Sequence, residues 1–103
     1  MNEQDIFQKI TDEFYWFHRH PELSYEEVET TKRLREDLAA VGIEVLDLPL
    51  KTGLVAKVGT GEAPFIALRC DIDGLPIQEE SGLAYASEHA GRMHACGHDF
   101  HIS

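Results

Sequence analysis

Apolar side chains recur every three or four positions from the start of the chain. Ile6, Phe7, Ile10, Phe14 and Phe17 share one face, with Asp5, Gln8, Lys9, Asp12 and Glu13 on the other. That period predicts an amphipathic helix over 3–18, whose acidic start suits the positive end of the helix dipole. Tyr15 and Trp16 widen the apolar face near its end. The helix should stop before Pro21, because a residue preceding proline is pushed out of the helical region. His18-Arg19-His20-Pro21-Glu22-Leu23 then reads as a connector. Ser24, with Glu27 three residues on, has the form of a capping box and predicts a second helix from Tyr25 to Val41. Val28, Thr31, Leu34, Leu38 and Val41 form its stripe, and Gly42 is placed to cap its carboxyl end.

Beyond Gly42 the period changes. Ile43, Val45 and Leu46 predict a short strand ended by Pro49, and 54–58 a second, between Gly53 and Gly59. Phe65-Ile66-Ala67-Leu68-Arg69-Cys70 predicts a third. Its near-continuous apolar run implies burial on both faces, with Cys70 an inert buried thiol. That strand ends in Asp71-Ile72-Asp73, and open α/β sheets place ligands at the carboxyl ends of strands. After Gly74-Leu75-Pro76 the periodicity fades; 83–86 predicts a short strand and 87–91 a loop. Two helices followed by strands indicate an α/β fold.

Composition narrows the class. The 103 residues are 43% hydrophobic and 27% charged, which suits one small globular domain and excludes disorder. Nine basic against nineteen acidic residues give a net charge of −10, which disfavours nucleic acid and anionic lipid as partners. No apolar run approaches the ~18 residues that span a bilayer. Met1-Asn2-Glu3-Gln4-Asp5 lacks the basic and apolar regions of a signal peptide, so a cytoplasmic location is expected. In a reducing compartment Cys70 and Cys96 are not expected to pair.

The chemistry concentrates at Met93-His94-Ala95-Cys96-Gly97-His98-Asp99-Phe100-His101. Three histidines, a cysteine and a carboxylate in nine residues suit a transition metal, which accepts imidazole nitrogen, thiolate sulfur and carboxylate oxygen together. A polar loop with its groups satisfied locally is the alternative. Asp71 and Asp73 lie on one face of a strand end, as metal ligands, as clamps on a ligand imidazole, as a general base, or as plain turn formers. Glu79-Glu80 reads as solvated loop, with acid/base groups as the alternative. His18 and His20 read as helix-end histidines favoured by the dipole, with a place in a cleft as the alternative.

Taken together these motifs resemble the N-terminal part of the metal-dependent amidohydrolases related to hippurate hydrolase, N-acetyl-diaminopimelate deacetylase and indole-acetyl-amino-acid hydrolases, in the aminoacylase–carboxypeptidase superfamily. The likeness covers essentially the whole chain. It rests on His20-Pro21-Glu22-Leu23-Ser24 with Glu26, Glu27 and Thr30, on 68–77 with Glu79, and above all on Gly91-Arg92-Met93-His94-Ala95-Cys96-Gly97-His98-Asp99 with His101. Cys70, Gly74 and Phe100 depart from the common pattern at positions where no ligand is expected.

The resemblance implies a bimetallic aminopeptidase-like, three-layer α/β/α catalytic domain, of which residues 1–103 form the N-terminal portion. The rest of that domain and a dimerisation domain would lie outside these residues. It implies Cys96 and His98 as metal ligands, Cys96 as thiolate, and Asp71 as the carboxylate that orients the site; His94, Asp99 and His101 fall to positioning roles. It also implies two divalent metals per full site (Zn, Mn, Co or Ni), an N-acyl amino acid as substrate, and a homo-oligomeric whole enzyme. A glutamate base and further ligands would lie beyond Ser103, so the segment alone is expected to be inactive. The competing expectation is a short non-catalytic metal-binding or interaction module.

Overall fold

The computed structural model describes residues 2–62 and 64–103. The first helix, α1, spans Glu3–Arg19. Asn2 starts it: its side-chain oxygen accepts the Asp5 N–H at 2.8 Å, and the Asp5 carboxylate accepts the Asn2 N–H at 3.5 Å. This reciprocal cap satisfies two donors that a helix start leaves open. At the other end the His20 N–H turns back to the carbonyls of Trp16 and Phe17, and the His20 ring donates from Nδ1 to Trp16 O at 2.7 Å. His20 is therefore a helix-end histidine, as expected. Of the apolar stripe only Phe17 is fully covered, while Ile6, Phe7 and Ile10 are exposed.

The second helix, α2, runs Val28–Ala40, three residues later than its capping signal suggested. Ser24 does not cap it. Tyr25 adopts a left-handed φ of 64° within a turn closed by Glu26 N–H to Leu23 O, and a helix cannot begin through such a residue. The cap comes from outside: the Glu22 carboxylate accepts the N–H groups of Glu29 at 3.0 Å and Thr30 at 2.6 Å. An anion is favoured at that end by the helix dipole. The carboxyl end is as predicted. Gly42 takes φ 76°, its N–H meets Ala39 O, and Ile43 N–H meets Leu38 O, the paired bonds of a Schellman ending.

Two contacts lock α1 to α2. Arg33 donates from Nε and Nη2 to the Glu13 carboxylate at 3.0 and 3.1 Å, and its guanidinium lies 4.4 Å over the Trp16 ring. Glu13 is buried, so this two-point pairing offsets its desolvation.

A small antiparallel pair follows, β1 at Glu44–Val45 and β2 at Ala56–Lys57, in register Glu44↔Lys57 and Val45↔Ala56. Both strands fall inside their predicted ranges. The third predicted strand, 65–70, is not formed. Its residues are exposed, with Ile66 and Leu68 almost fully so, because no other segment of the described chain pairs with this run. Cys70, expected to be buried, is exposed for the same reason. The strand predicted at 83–86 is instead a turn, closed by Ala86 N–H to Leu83 O. Cys70 and Cys96 are both free thiols.

What gathers the motifs is a set of backbone bridges. Gly74 N–H bonds Glu22 O at 2.7 Å, and Leu75 exchanges bonds with Met93 at 2.8 and 3.0 Å. The approach is tight at Gly74, where a Cβ would lie 2.9 Å from the Pro21 Cβ. These bridges bring the Pro21–Leu23, Asp71–Leu75 and Met93 segments side by side. A last helix, α3, covers His98–Ile102 and is entered through Gly97 at φ 82°. Among the described residues no helix is long and apolar enough to cross a membrane.

Candidate metal centre

Asp71, Asp73 and His98 converge, each offering one ligand atom, all within 4.8 Å of one another. The aspartates come from the end of the unpaired run at 65–70, and His98 is the first residue of α3. The orientation of His98 is set by Asp73. Its Nδ1 lies 2.9 Å from the Asp73 backbone oxygen and 3.1 Å from Asp73 Oδ1. Both are acceptors, so Nδ1 carries the hydrogen, and in the neutral ring Nε2 keeps its lone pair. Nε2 faces Asp71 Oδ2 at 3.8 Å. The other Asp71 oxygen receives Arg69 Nη2 at 2.6 Å, which aligns the carboxylate. An imidazole lone pair beside two carboxylates, with its second nitrogen pinned by a backbone carbonyl, fits a divalent transition ion.

Cys96 stands two residues before His98 on the bend entering α3; its thiol is exposed and lies outside this group of three. Arg69, Cys70, Asp71, His98, Phe100 and His101 line a depression of about 620 Å3. The His101 ring lies 6.2 Å from that of His98.

A second cluster lies beneath. His18 is buried, with Nδ1 2.7 Å from Asp99 Oδ2 and Nε2 3.0 and 2.9 Å from the two oxygens of Glu79. The Glu79 side chain is only 2% exposed, so the expectation of a solvated loop is corrected here. It also accepts the Ser81 hydroxyl and, at 2.7 Å, the Ser87 N–H. His18 is not a simple helix-end histidine either, since both ring nitrogens face carboxylates. The sequence carried one signal for this: Glu79 belongs to the stretch that bears the family resemblance. Its partner lies 61 residues away, and no local period reveals such a pairing.

The charges in this cluster are set by competition. Burial alone would disfavour the His18 imidazolium, but hydrogen bonds to Glu79 and Asp99 outweigh it and raise its pKa above the usual 6.5. Burial would raise Glu79, but bonds from His18, Ser81 and Ser87 bring it below 4.5. The His18 contribution to stability is therefore full below about pH 6.5 and is lost as pH rises through its raised folded value. That of Glu79 is full above about pH 4.5 and is lost as pH falls through its lowered folded value. The difference in melting temperature between parent and His18→Gln should thus be largest between about pH 4.5 and 6.5 and shrink on either side. A difference independent of pH would contradict the ionised pair.

His94 is buried, with neither ring nitrogen hydrogen-bonded to any of the described residues. Burial lowers its pKa and favours the neutral ring, against the opposing pull of Asp99.

Residues 67–103 match the sequence profile of peptidase family M20/M25/M40. Over 98% of its length the chain superposes on 29% of a Bacillus subtilis dinuclear metal-binding peptidase of the M20 family, with a TM-score of 0.94 and 48% identity. The chain is thus similar to a part of M20-family proteins, in sequence over 67–103 and in structure over nearly all its length. Its α/β fold is that of the matching part of the M20 structure. Among curated relatives, an N-acetylcysteine deacetylase of Bacillus subtilis is 58% identical over 84% of this chain and 23% of the relative. An IAA-amino acid hydrolase of Arabidopsis thaliana is 45% identical over 94% of this chain and 24% of the relative. An N-acetyldiaminopimelate deacetylase of Geobacillus thermodenitrificans is 51% identical over 84% and 23%. The chain thus spans about a quarter of the length of these relatives.

Proposed function

We propose that this chain supplies the N-terminal portion of the catalytic domain of a metal-dependent amidohydrolase that cleaves N-acyl amino acids. The observation that carries the reading is the convergence of Asp71, Asp73 and His98, with the His98 Nε2 lone pair free to face a cation. Relatives named for deacetylation and for hydrolysis of amino-acid conjugates support the substrate class. In this reading Cys96 and His98 hold the metal, as thiolate and imidazole. Asp71 orients the site, held by Arg69 on its far side. Asp73 fixes the His98 ring. A divalent ion held there, one of two expected in the complete site, would supply Lewis-acid polarisation of the acyl carbonyl and a nucleophilic water at neutral pH. Zn, Mn, Co and Ni all suit a donor set of thiolate, imidazole and carboxylate. The reading extends to a cytoplasmic, homo-oligomeric protein. The test is release of free amino acid from N-acyl amino acids by the full-length protein, and its loss on chelation.

A further inference from the structure

The buried cluster is joined to the metal centre through a single peptide unit. Asp99 follows His98 in the first turn of α3. Its two oxygens have separate tasks: Oδ2 accepts from His18 Nδ1 at 2.7 Å, and Oδ1 accepts the Phe100 N–H at 2.9 Å. One side of α3 is thereby tied to α1, and the other side to the 71–73 segment by the His98 bond to the Asp73 carbonyl. α3 has only five residues and cannot hold its own orientation, whereas α1 has seventeen and is clamped to α2. Phe14 on α1 meets the Phe100 ring edge-on at 6.4 Å and adds an apolar contact to the same junction. A histidine that only stabilised the end of α1 would need one partner. His18 has two, Asp99 and Glu79, on segments far apart in the chain, and a ring facing carboxylates at both nitrogens can donate to both.

We propose that His18 is a positioning residue for the metal centre, acting through Asp99 to fix the direction in which His98 presents Nε2. The inference rests on the reading of His98 as a metal ligand. Residues that hold a ligand imidazole from behind change metal affinity by roughly 10–100-fold when removed. Glu79 completes the device by taking the second nitrogen of His18, which prevents the ring from turning away from Asp99.

The test uses Co(II) as probe on the full-length protein, with affinity from calorimetry and ligand geometry from the visible absorption of the bound ion. His18→Gln should weaken Co(II) binding by about 10-fold or more and alter the absorption bands. Arg33→Gln breaks the other buried ion pair of α1, so it should lower the melting temperature while leaving Kd and spectrum as in the parent. In the parent itself, zinc should shift the ring nitrogen resonances of His18, a readout that needs no variant to fold. Parent-like affinity and spectrum in His18→Gln, equal losses in Arg33→Gln, or unmoved His18 resonances would each overturn the proposal. A parent that binds no Co(II) removes the metal reading and this inference together; a parent that binds while His18→Gln binds equally removes only the inference.

Discussion

Replacing His98 with alanine should weaken divalent-metal binding by more than the roughly 100-fold that marks the upper end for supporting residues. The expectation follows from what the side chain does. His98 brings the imidazole lone pair to the converging group, and its Nδ1 is already committed to the Asp73 carbonyl. Without it, the proposed ligand pair is reduced to the Cys96 thiolate, and the neighbouring Asp71 and Asp73 carboxylates do not replace the imidazole that Zn, Co or Ni prefers. The fold should survive, because the ring is half-buried and its partners are backbone and carboxylate oxygens that water can satisfy. Asp73→Asn should cost far less, since the backbone carbonyl that orients His98 is unchanged. Zinc titration by calorimetry checks both. Near-equal affinity in His98→Ala and parent would exclude His98 as a ligand.

Phe17→Ala should be the most damaging change to stability, at about 3–5 kcal/mol. Phe17, Thr30 and Pro21 are the largest fully buried side chains among the described residues, and of the hydrophobic stripe on α1 only Phe17 is sealed. It meets Trp16 edge-on, with ring centroids 5.4 Å apart, next to the clamp that Arg33 forms on the Trp16 ring. Truncation opens a cavity where α1 turns into the Pro21 connector, the segment that bridges to Gly74. Against a total stability of about 5–15 kcal/mol, that is a large fraction. Phe17→Leu keeps most of the volume and should cost less than about 1.5 kcal/mol. Denaturant unfolding separates the two; equal midpoints would place the core elsewhere.

Local signals in the sequence gave both helices, since their period, the Gly42 ending and the Pro21 stop are short-range. The start of α2 was misplaced because its cap, Glu22, comes from before the turn at Tyr25, and a nearer Ser24–Glu27 pair imitates a capping box. The third strand failed for a different reason. An apolar run records a preference for burial, but a strand exists only where another segment pairs with it, and 65–70 finds none among the described residues. At the site, motif and resemblance point to Cys96, His98 and Asp71; the structure brings His98 and Asp71 together with Asp73 and leaves the Cys96 thiol outside that group. The roles of His18 and Glu79 were not legible, because their meeting depends on the docking of α1 against a loop 61 residues on. Buried polar pairs of this kind leave no period in the sequence.

Hydrolysis of N-acyl amino acids by the full-length protein, with the released amino acid quantified, decides whether this is a metal-dependent amidohydrolase. With Zn, Mn, Co or Ni supplied, free amino acid should appear, vanish on chelation, return on adding metal back, and be absent in His98→Ala. Release that persists in the chelated protein, or in His98→Ala, would contradict the account.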